Sequence, residues 1–210
     1  KVEKIYSAKR MDGGFETPRY EFDEETNLVN RGAMSVSADG KMLFFTACNQ
    51  PGGKGSCDIY MVVKMNGRWS QPQNIGAPVN TAAWEAQPSV SADGRWLYFC
   101  SSRTGTLGGM DLWVSEITQP EKNVFRFSEP KNLGDKVNTS LDDFSPFIHA
   151  NGHTLYFASK GWPRFGQADL FMTELGDNQP KWPQNLGLGI NTRADEFGFT
   201  ISTTGAHAYF

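Results

Sequence analysis

Eight residues ahead of a recurring turn dipeptide stand Arg31, Glu85, Asp143 and Glu196. One residue further back are Asn30, Trp84, Asp142 and Asp195. These positions flank the start of an innermost strand, so three carboxylates and one arginine would ring one mouth of a central channel. There they could hold a polar ligand, or a hard cation, which favours clustered carboxylate oxygens. No compact calcium-type ligand loop accompanies them, and residues repeated with a fold ordinarily serve that fold. Bracing of neighbouring loops is the reading they favour, with Arg31, Trp84, Glu85, Asp143 and Glu196 kept as channel-mouth candidates. The adjacent pairs Asp142-Asp143 and Asp195-Glu196 do not make a glycosidase-like carboxylate pair, because neighbours on a strand point to opposite faces.

Other chemistry-bearing residues divide into repeated and unrepeated ones. Asp58, Asp111 and Asp169 each precede an Ile/Leu-aromatic pair, and Asn80, Asn138 and Asn191 each stand four residues after a glycine, Gly76, Gly134 or Gly187. As sets they read as turn and loop braces whose side chains bond local backbone. Unrepeated residues are the better binding candidates, since the fold does not require them. Lys160-Gly161-Trp162-Pro163-Arg164-Phe165 presents Trp162, Arg164 and Phe165 on a loop, and the matching loop of the preceding unit carries Arg103. Trp and Arg are enriched at binding hot spots, although Trp162 could equally pack on the next blade. His149 and His153 straddle Asn151-Gly152 with no third ligand at hand, so no metal site is expected. Neither a nucleophile elbow nor a Gly-rich phosphate loop after a strand is present, and neither an enzymatic activity nor a cofactor is expected.

The elements that must position these residues come from an internal repeat. Asp39-Gly40, Asp93-Gly94, Asn151-Gly152 and Thr204-Gly205 follow one another at 54, 58 and 53 residues. Such a period points to a propeller or an array. Three residues after each turn glycine comes Leu43-Phe44-Phe45, Leu97-Tyr98-Phe99, Leu155-Tyr156-Phe157 or Ala208-Tyr209-Phe210. Asp-Gly and Asn-Gly between apolar runs predict a two-residue hairpin turn with φ > 0 at both positions. A third strand starts at each aspartate. A fourth carries an aromatic residue and Pro18, Pro72, Pro130 or Pro183, which suits an outer edge because proline cannot donate to a ladder. The expected architecture is an all-β propeller of four four-stranded blades, a single domain over 1–210 excised from a longer protein. Residues 1–20 and 195–210 would close one blade from both ends.

Composition agrees with a turn-rich globular fold: 210 residues, 39% hydrophobic and 13% aromatic, with 22 glycines and 11 prolines. The net charge of −3, with no basic patch, argues against nucleic acid. No run reaches the roughly 18 apolar residues of a membrane helix. Cys48 and Cys57 flank a Gly-rich loop and could pair across its base, which would imply an oxidising compartment; two free thiols are the alternative. Cys100 reads as a buried small hydrophobe.

The motif Ser91-Ala92-Asp93-Gly94-Arg95-Trp96-Leu97-Tyr98-Phe99, with Asp-(Ile/Leu)-aromatic and Pro-x-Asn-Leu-Gly behind it, resembles the WD40-like repeat of TolB-type propellers. The long units, with Gly76 to Asn80 and Gly134 to Asn138 before the first strand, look most like propellers of OmpA-family envelope lipoproteins of Bacteroidetes, which include a component of type IX secretion. That resemblance implies a periplasmic, outer-membrane-associated scaffolding module whose partners are envelope or secretion-complex proteins, with peptidoglycan reached only through another domain. A glycan- or peptide-binding propeller using the acidic channel mouth is the alternative, and a glycosidase-like enzyme a more remote one. Two departures stand out. TolB has six shorter blades, and the first unit here has Arg31 in place of the acid.

Overall fold

The computed structural model describes residues 4–22, 30–176 and 179–210, all in strands, turns and loops. In chain order the strands are β1 (Tyr6–Ser7), β2 (Arg10–Met11), β3 (Gly14–Phe15), β4 (Arg19–Tyr20), β5 (Arg31–Val36), β6 (Met42–Cys48), β7 (Cys57–Met65), β8 (Arg68–Trp69), β9 (Gln73–Asn74) and β10 (Glu85–Val90). They continue as β11 (Trp96–Ser101), β12 (Asp111–Glu121), β13 (Val124–Phe127), β14 (Lys131–Asn132), β15 (Asp143–Ile148), β16 (Thr154–Ser159), β17 (Asp169–Glu174), β18 (Gln184–Asn185), β19 (Thr200–Ile201) and β20 (Ala208–Tyr209). Three antiparallel units result: β5 to β9, β10 to β14 and β15 to β18. The terminal segments form the separate ladders β1–β4, β2–β3 and β19–β20. Arg10 Nη2 lies 3.0 Å from His207 Nε2, linking the two terminal pieces. Among the described residues no backbone ladder joins them. The first three residues expected in the closing blade lie outside the described residues.

The apolar triplet follows from burial on both faces of the second strand, which calls for a near-continuous apolar run. Period-two alternation then sends its members to different neighbours. Phe44, the middle residue of the first triplet, packs with Leu97 and Phe99 of the second unit. Tyr98 packs with Leu155 and Phe157 of the third. Leu43 and Phe45 face back onto Ile5 and Phe22 of the N-terminal piece. Tyr156 faces forward onto Phe199, ring centroids 4.8 Å apart. The first and third members thus face the preceding unit and the middle one faces the following unit. Full burial of such a phenylalanine is worth about 1.5–3 kcal/mol.

The turns and outer strands depart from expectation. Only the glycines Gly40, Gly94, Gly152 and Gly205 take positive φ, between 68° and 73°. Each turn is i→i+3 bonded, as Gly40 N–H to the Ser37 carbonyl at 2.8 Å. The loop is therefore a four-residue one with glycine in the left-handed position, not a two-residue turn. In the first unit the Asp39 carboxylate accepts from the Ser37 hydroxyl and the Lys41 N–H, which holds the non-glycine residue in ordinary backbone space. The first two units contain five strands, because β7 and β12 run on past the sheet and fold back as β8 and β13. In the first unit Asn66 and Gly67, at φ 51° and 81°, make that reversal.

Candidate functional site

The repeated polar residues hold the loops. In the first unit the buried Asp58 carboxylate accepts from the N–H groups of Lys54 (2.6 Å) and Gly55 (3.1 Å) and from Asn74 Nδ2 (2.7 Å). Asp111 does the same with Leu107, Gly108 and Asn132, and Asp169 with Phe165, Gly166 and Asn185. Asn80, Asn138 and Asn191 each close a second ring. Asn138 Oδ1 accepts from the Leu112 N–H while its Nδ2 donates to the Leu112 carbonyl and to Asn132 Oδ1. Buried polar groups need such partners, and each net bond contributes about 1 kcal/mol.

The acids placed at the channel mouth by sequence are also buried braces. Glu85 accepts from the Thr81 N–H and hydroxyl, both at 2.7 Å, and from the Ser101 hydroxyl at 2.8 Å. Asp143 Oδ2 accepts from the Thr139 N–H at 2.5 Å and its hydroxyl at 2.9 Å. Glu196 accepts from Thr192 in the same way. Arg31 is buried with its guanidinium carbon 5.0 Å from the Phe22 ring centroid. Trp84 is half-buried against the core of the second and third units. Burial pushes the Asp143 carboxyl up to about 6, against the opposing pull of the Ser159 hydroxyl and of Thr139.

The cavity itself, about 750 Å³, is lined by the inner strand of each unit and by Phe197 to Thr203. Its wall holds Met34, Val36, Pro88, Pro146, Phe147 and Phe199 with Gln87 and Ser145, and none of the five channel-mouth candidates. A bulge in each inner strand turns the chain here: Ala33, Gln87 and Ser145 take positive φ (41°, 55° and 51°) and Gly198 sits at 71°. Hydrogen bonds between units fix it. Gln87 N–H donates to Thr46 Oγ1, and Ser145 N–H donates to Gln87 Oε1, each at 2.9 Å. Pro88 and Pro146 inside these strands were the sequence signal for a bulge.

The loop candidates separate. Arg103 is 8% exposed. Its guanidinium donates to the Pro78 and Val79 carbonyls and to Ser101 Oγ, and lies 3.5 Å from Glu85 and about 5 Å from the Phe99 and Trp113 rings. It is thus a buried brace and not a surface contact, correcting its sequence-based assignment. Trp162 is half-buried, with its indole N–H donating to the Val137 carbonyl at 2.9 Å. Arg164 and Phe165 are exposed. Cys48 and Cys57 face each other across β6 and β7 with their sulfurs bonded, and Cys100 is a buried free thiol. Among the described residues no group of three or more His, Cys, Asp or Glu is placed to hold a metal, and no helix is long and apolar enough to cross a membrane.

Sheets stacked face to face around a shared cavity are the arrangement of a β-propeller. Solved structures of that class are similar to this chain. TolB from Acinetobacter baumannii has a TM-score of 0.59 at 17% identity, over 99% of this chain and 44% of that one. A protein assigned to TolB from Agrobacterium tumefaciens has 0.56 at 19%, over 92% of this chain and 61% of that one. An alpha-L-arabinofuranosidase from Lactobacillus brevis has 0.52 at 14%, over 91% and 69%. The chain spans less than two thirds of either TolB-type structure, and the likeness is one of fold. No protein-family model and no curated protein matches the sequence.

Proposed function

We propose that this chain is a non-catalytic protein-interaction or scaffolding module of a bacterial cell envelope. The observation that carries this reading is the division of labour among polar residues. Those that repeat are bonded into the loops, whereas Arg164 and Phe165, which do not repeat, stand on the surface. The TolB-type fold supports the envelope setting, and the Cys48–Cys57 disulfide supports an oxidising compartment such as the periplasm. The finer proposal is an outer-membrane-associated complex of the OmpA-family kind, including type IX secretion, which rests on the repeat motif. Closure as four blades belongs to the same proposal. Its support is the cavity bounded by four inner segments and the Arg10–His207 contact. Crosslinking of tagged chain in envelope fractions, with Arg164→Ala and Phe165→Ala as controls, is expected to recover envelope proteins that the double variant loses. Turnover of a glycoside or peptide in a hydrolase screen would overturn the non-catalytic reading. A second reading, a peptide or glycan in the cavity, is favoured by its volume, which lies within the usual range of about 300–1,000 Å³ for ligand pockets.

A further inference from the structure

Glycine does two unlike jobs in this chain. Gly55, Gly108 and Gly166 are pressed between units: a Cβ there would lie 1.7, 1.9 and 2.0 Å from the carbonyl oxygens of Ala83, Leu141 and Ala194. Gly67 and Gly152 stand in open space with positive φ and turn the chain. Each of this second pair follows an asparagine, and Asn66-Gly67 and Asn151-Gly152 are the two Asn-Gly dipeptides of the sequence. That dipeptide carries a reaction of its own. The backbone nitrogen after an asparagine can attack the side-chain carbonyl carbon, and a glycine, with no Cβ, leaves that nitrogen open to approach.

The fold holds the two dipeptides differently. At Asn151 both ends of the side chain are occupied: Oδ1 accepts from the His153 N–H at 2.9 Å and the Thr154 N–H at 3.0 Å, and Nδ2 donates to Thr154 Oγ1 at 2.9 Å. The Gly152 N–H, on the nitrogen that would attack, donates to the His149 carbonyl at 2.9 Å. Asn66 is exposed, and neither its side chain nor the Gly67 N–H has a hydrogen bond among the described residues. The bonds at Asn151 must break before its side-chain carbon can reach the nitrogen, whereas none must break at Asn66. The reversal of the second unit offers no equivalent, since Asn123 is followed by the branched Val124 and its Nδ2 donates to Met65 Sδ at 3.4 Å.

The reversal at Asn66 places a residue that ties down the N-terminal piece. Across it Met65 pairs with Arg68 and Lys64 with Trp69. The Trp69 indole N–H donates to Glu21 Oε2 at 2.7 Å, and its ring packs on the cluster that holds Ile5 and Phe22. The Lys64 ammonium lies 5.0 Å from the centroid of the same ring. The length of the turn sets the register of both pairs. An isoaspartyl residue routes the main chain through its side-chain carbon and so adds a methylene to that turn. The pairing of Lys64 with Trp69 then loses the geometry that seats the indole.

We propose that Asn66-Gly67 is a self-modifying site that converts in the folded chain ahead of Asn151-Gly152, and that its isoaspartyl product loosens the Trp69 tie to the N-terminal piece. The Gly67 nitrogen bonds to the Asn66 side-chain carbonyl carbon, and the bond from that carbon to Nδ2 breaks. Nδ2 leaves as ammonia, taking the proton given up by the Gly67 N–H. Water then opens the cyclic imide at either carbonyl. One opening leaves an aspartyl residue at position 66 and the other an isoaspartyl residue.

The test holds the whole chain in warm, mildly alkaline buffer and follows both sites by peptide mass mapping. Isoaspartate is read by methyl transfer from S-adenosylmethionine with a protein isoaspartyl methyltransferase. Acid is expected at position 66 about tenfold or more faster than at position 151, and methyl acceptance with it. In concentrated urea, where the fold no longer separates the two dipeptides, the rates are expected to converge. Asn66→Gly keeps a residue at ease with positive φ, and is expected to remove most of the methyl acceptance without moving the circular dichroism melting curve. Hydrogen exchange across residues 4–22 is expected to quicken in the converted chain, separated by ion exchange, and not in Asn66→Gly. Equal rates in the folded chain, no conversion at either site, or a difference that persists in urea overturns the site. Unchanged exchange in the converted chain overturns the loosening.

Discussion

The second and third units solve one problem differently. Each must satisfy a carbonyl ahead of its inner strand, that of Val79 in one and Val137 in the other. In the second unit the donor is the cationic Arg103, which also lies against Glu85. In the third the donor is the neutral indole of Trp162, since Gly161 stands where Arg103 would. The neutral donor satisfies the carbonyl and leaves the acid uncompensated. Asp143 is buried without a cationic partner, and burial outweighs the Ser159 and Thr139 groups that favour its charged form, so its carboxyl is pushed up to about 6. The first unit removes the conflict by having Arg31 in place of the acid and Ala47 in place of the serine opposite it. Backbone demand is therefore fixed by the repeat, whereas charge balance is local to each unit.

Breaking the compensated unit should have the largest effect. Arg103→Ala leaves Glu85 buried and unpaired and strips packing from Phe99 and Trp113, so a loss of about 3–5 kcal/mol is expected in urea denaturation. Adding Glu85→Gln should recover part of it, as a double-mutant cycle would read.

The third unit should instead respond to pH. A carboxyl raised in the native state contributes stability that is fully present below its unfolded value of 3.8 and is lost as pH rises through about 6. The span of about two pH units corresponds to up to about 3 kcal/mol between pH 4 and pH 7. Asp143→Asn should flatten that slope in denaturation series at several pH values; an unchanged slope would remove Asp143 as its source.

Where the units are alike, the costs should match. Asn80→Ala, Asn138→Ala and Asn191→Ala each remove the same set of buried bonds, and each is expected to cost about 1–3 kcal/mol. A spread wider than about 1 kcal/mol would show that the three braces are not equivalent. Smallest are Arg164→Ala and Phe165→Ala, expected within about 0.5 kcal/mol of the parent because both side chains are exposed.

The repeat was legible because its signals are short-range. Leu97-Tyr98-Phe99 announces a strand buried on both faces, and Asp111 and Asn138 announce braces by recurring with the fold. Side-chain direction at the strand starts was not. Counting back from Asp93 to Glu85 crosses the bulge at Gln87, and an extra residue there breaks the alternation on which the count depends. Pro88 carried the warning. Arg103 looked like a free loop residue because its partners, Val79 and Glu85, reach it only through the fold. Asn66-Gly67 was a plain reversal signal, hidden by reading Trp69 and Pro72 as one strand.

The glycines pressed between units carry a consequence for the spacing of the sheets. At Gly55, Gly108 and Gly166 the gap between neighbouring backbones is narrower than a single methyl group. Those three contacts act as gauges: they set how closely adjacent sheets approach at the rim, and with it their splay and the bore of the cavity they enclose. An alanine at any one of them would act as a shim, forcing apart the two backbones that meet at that seam.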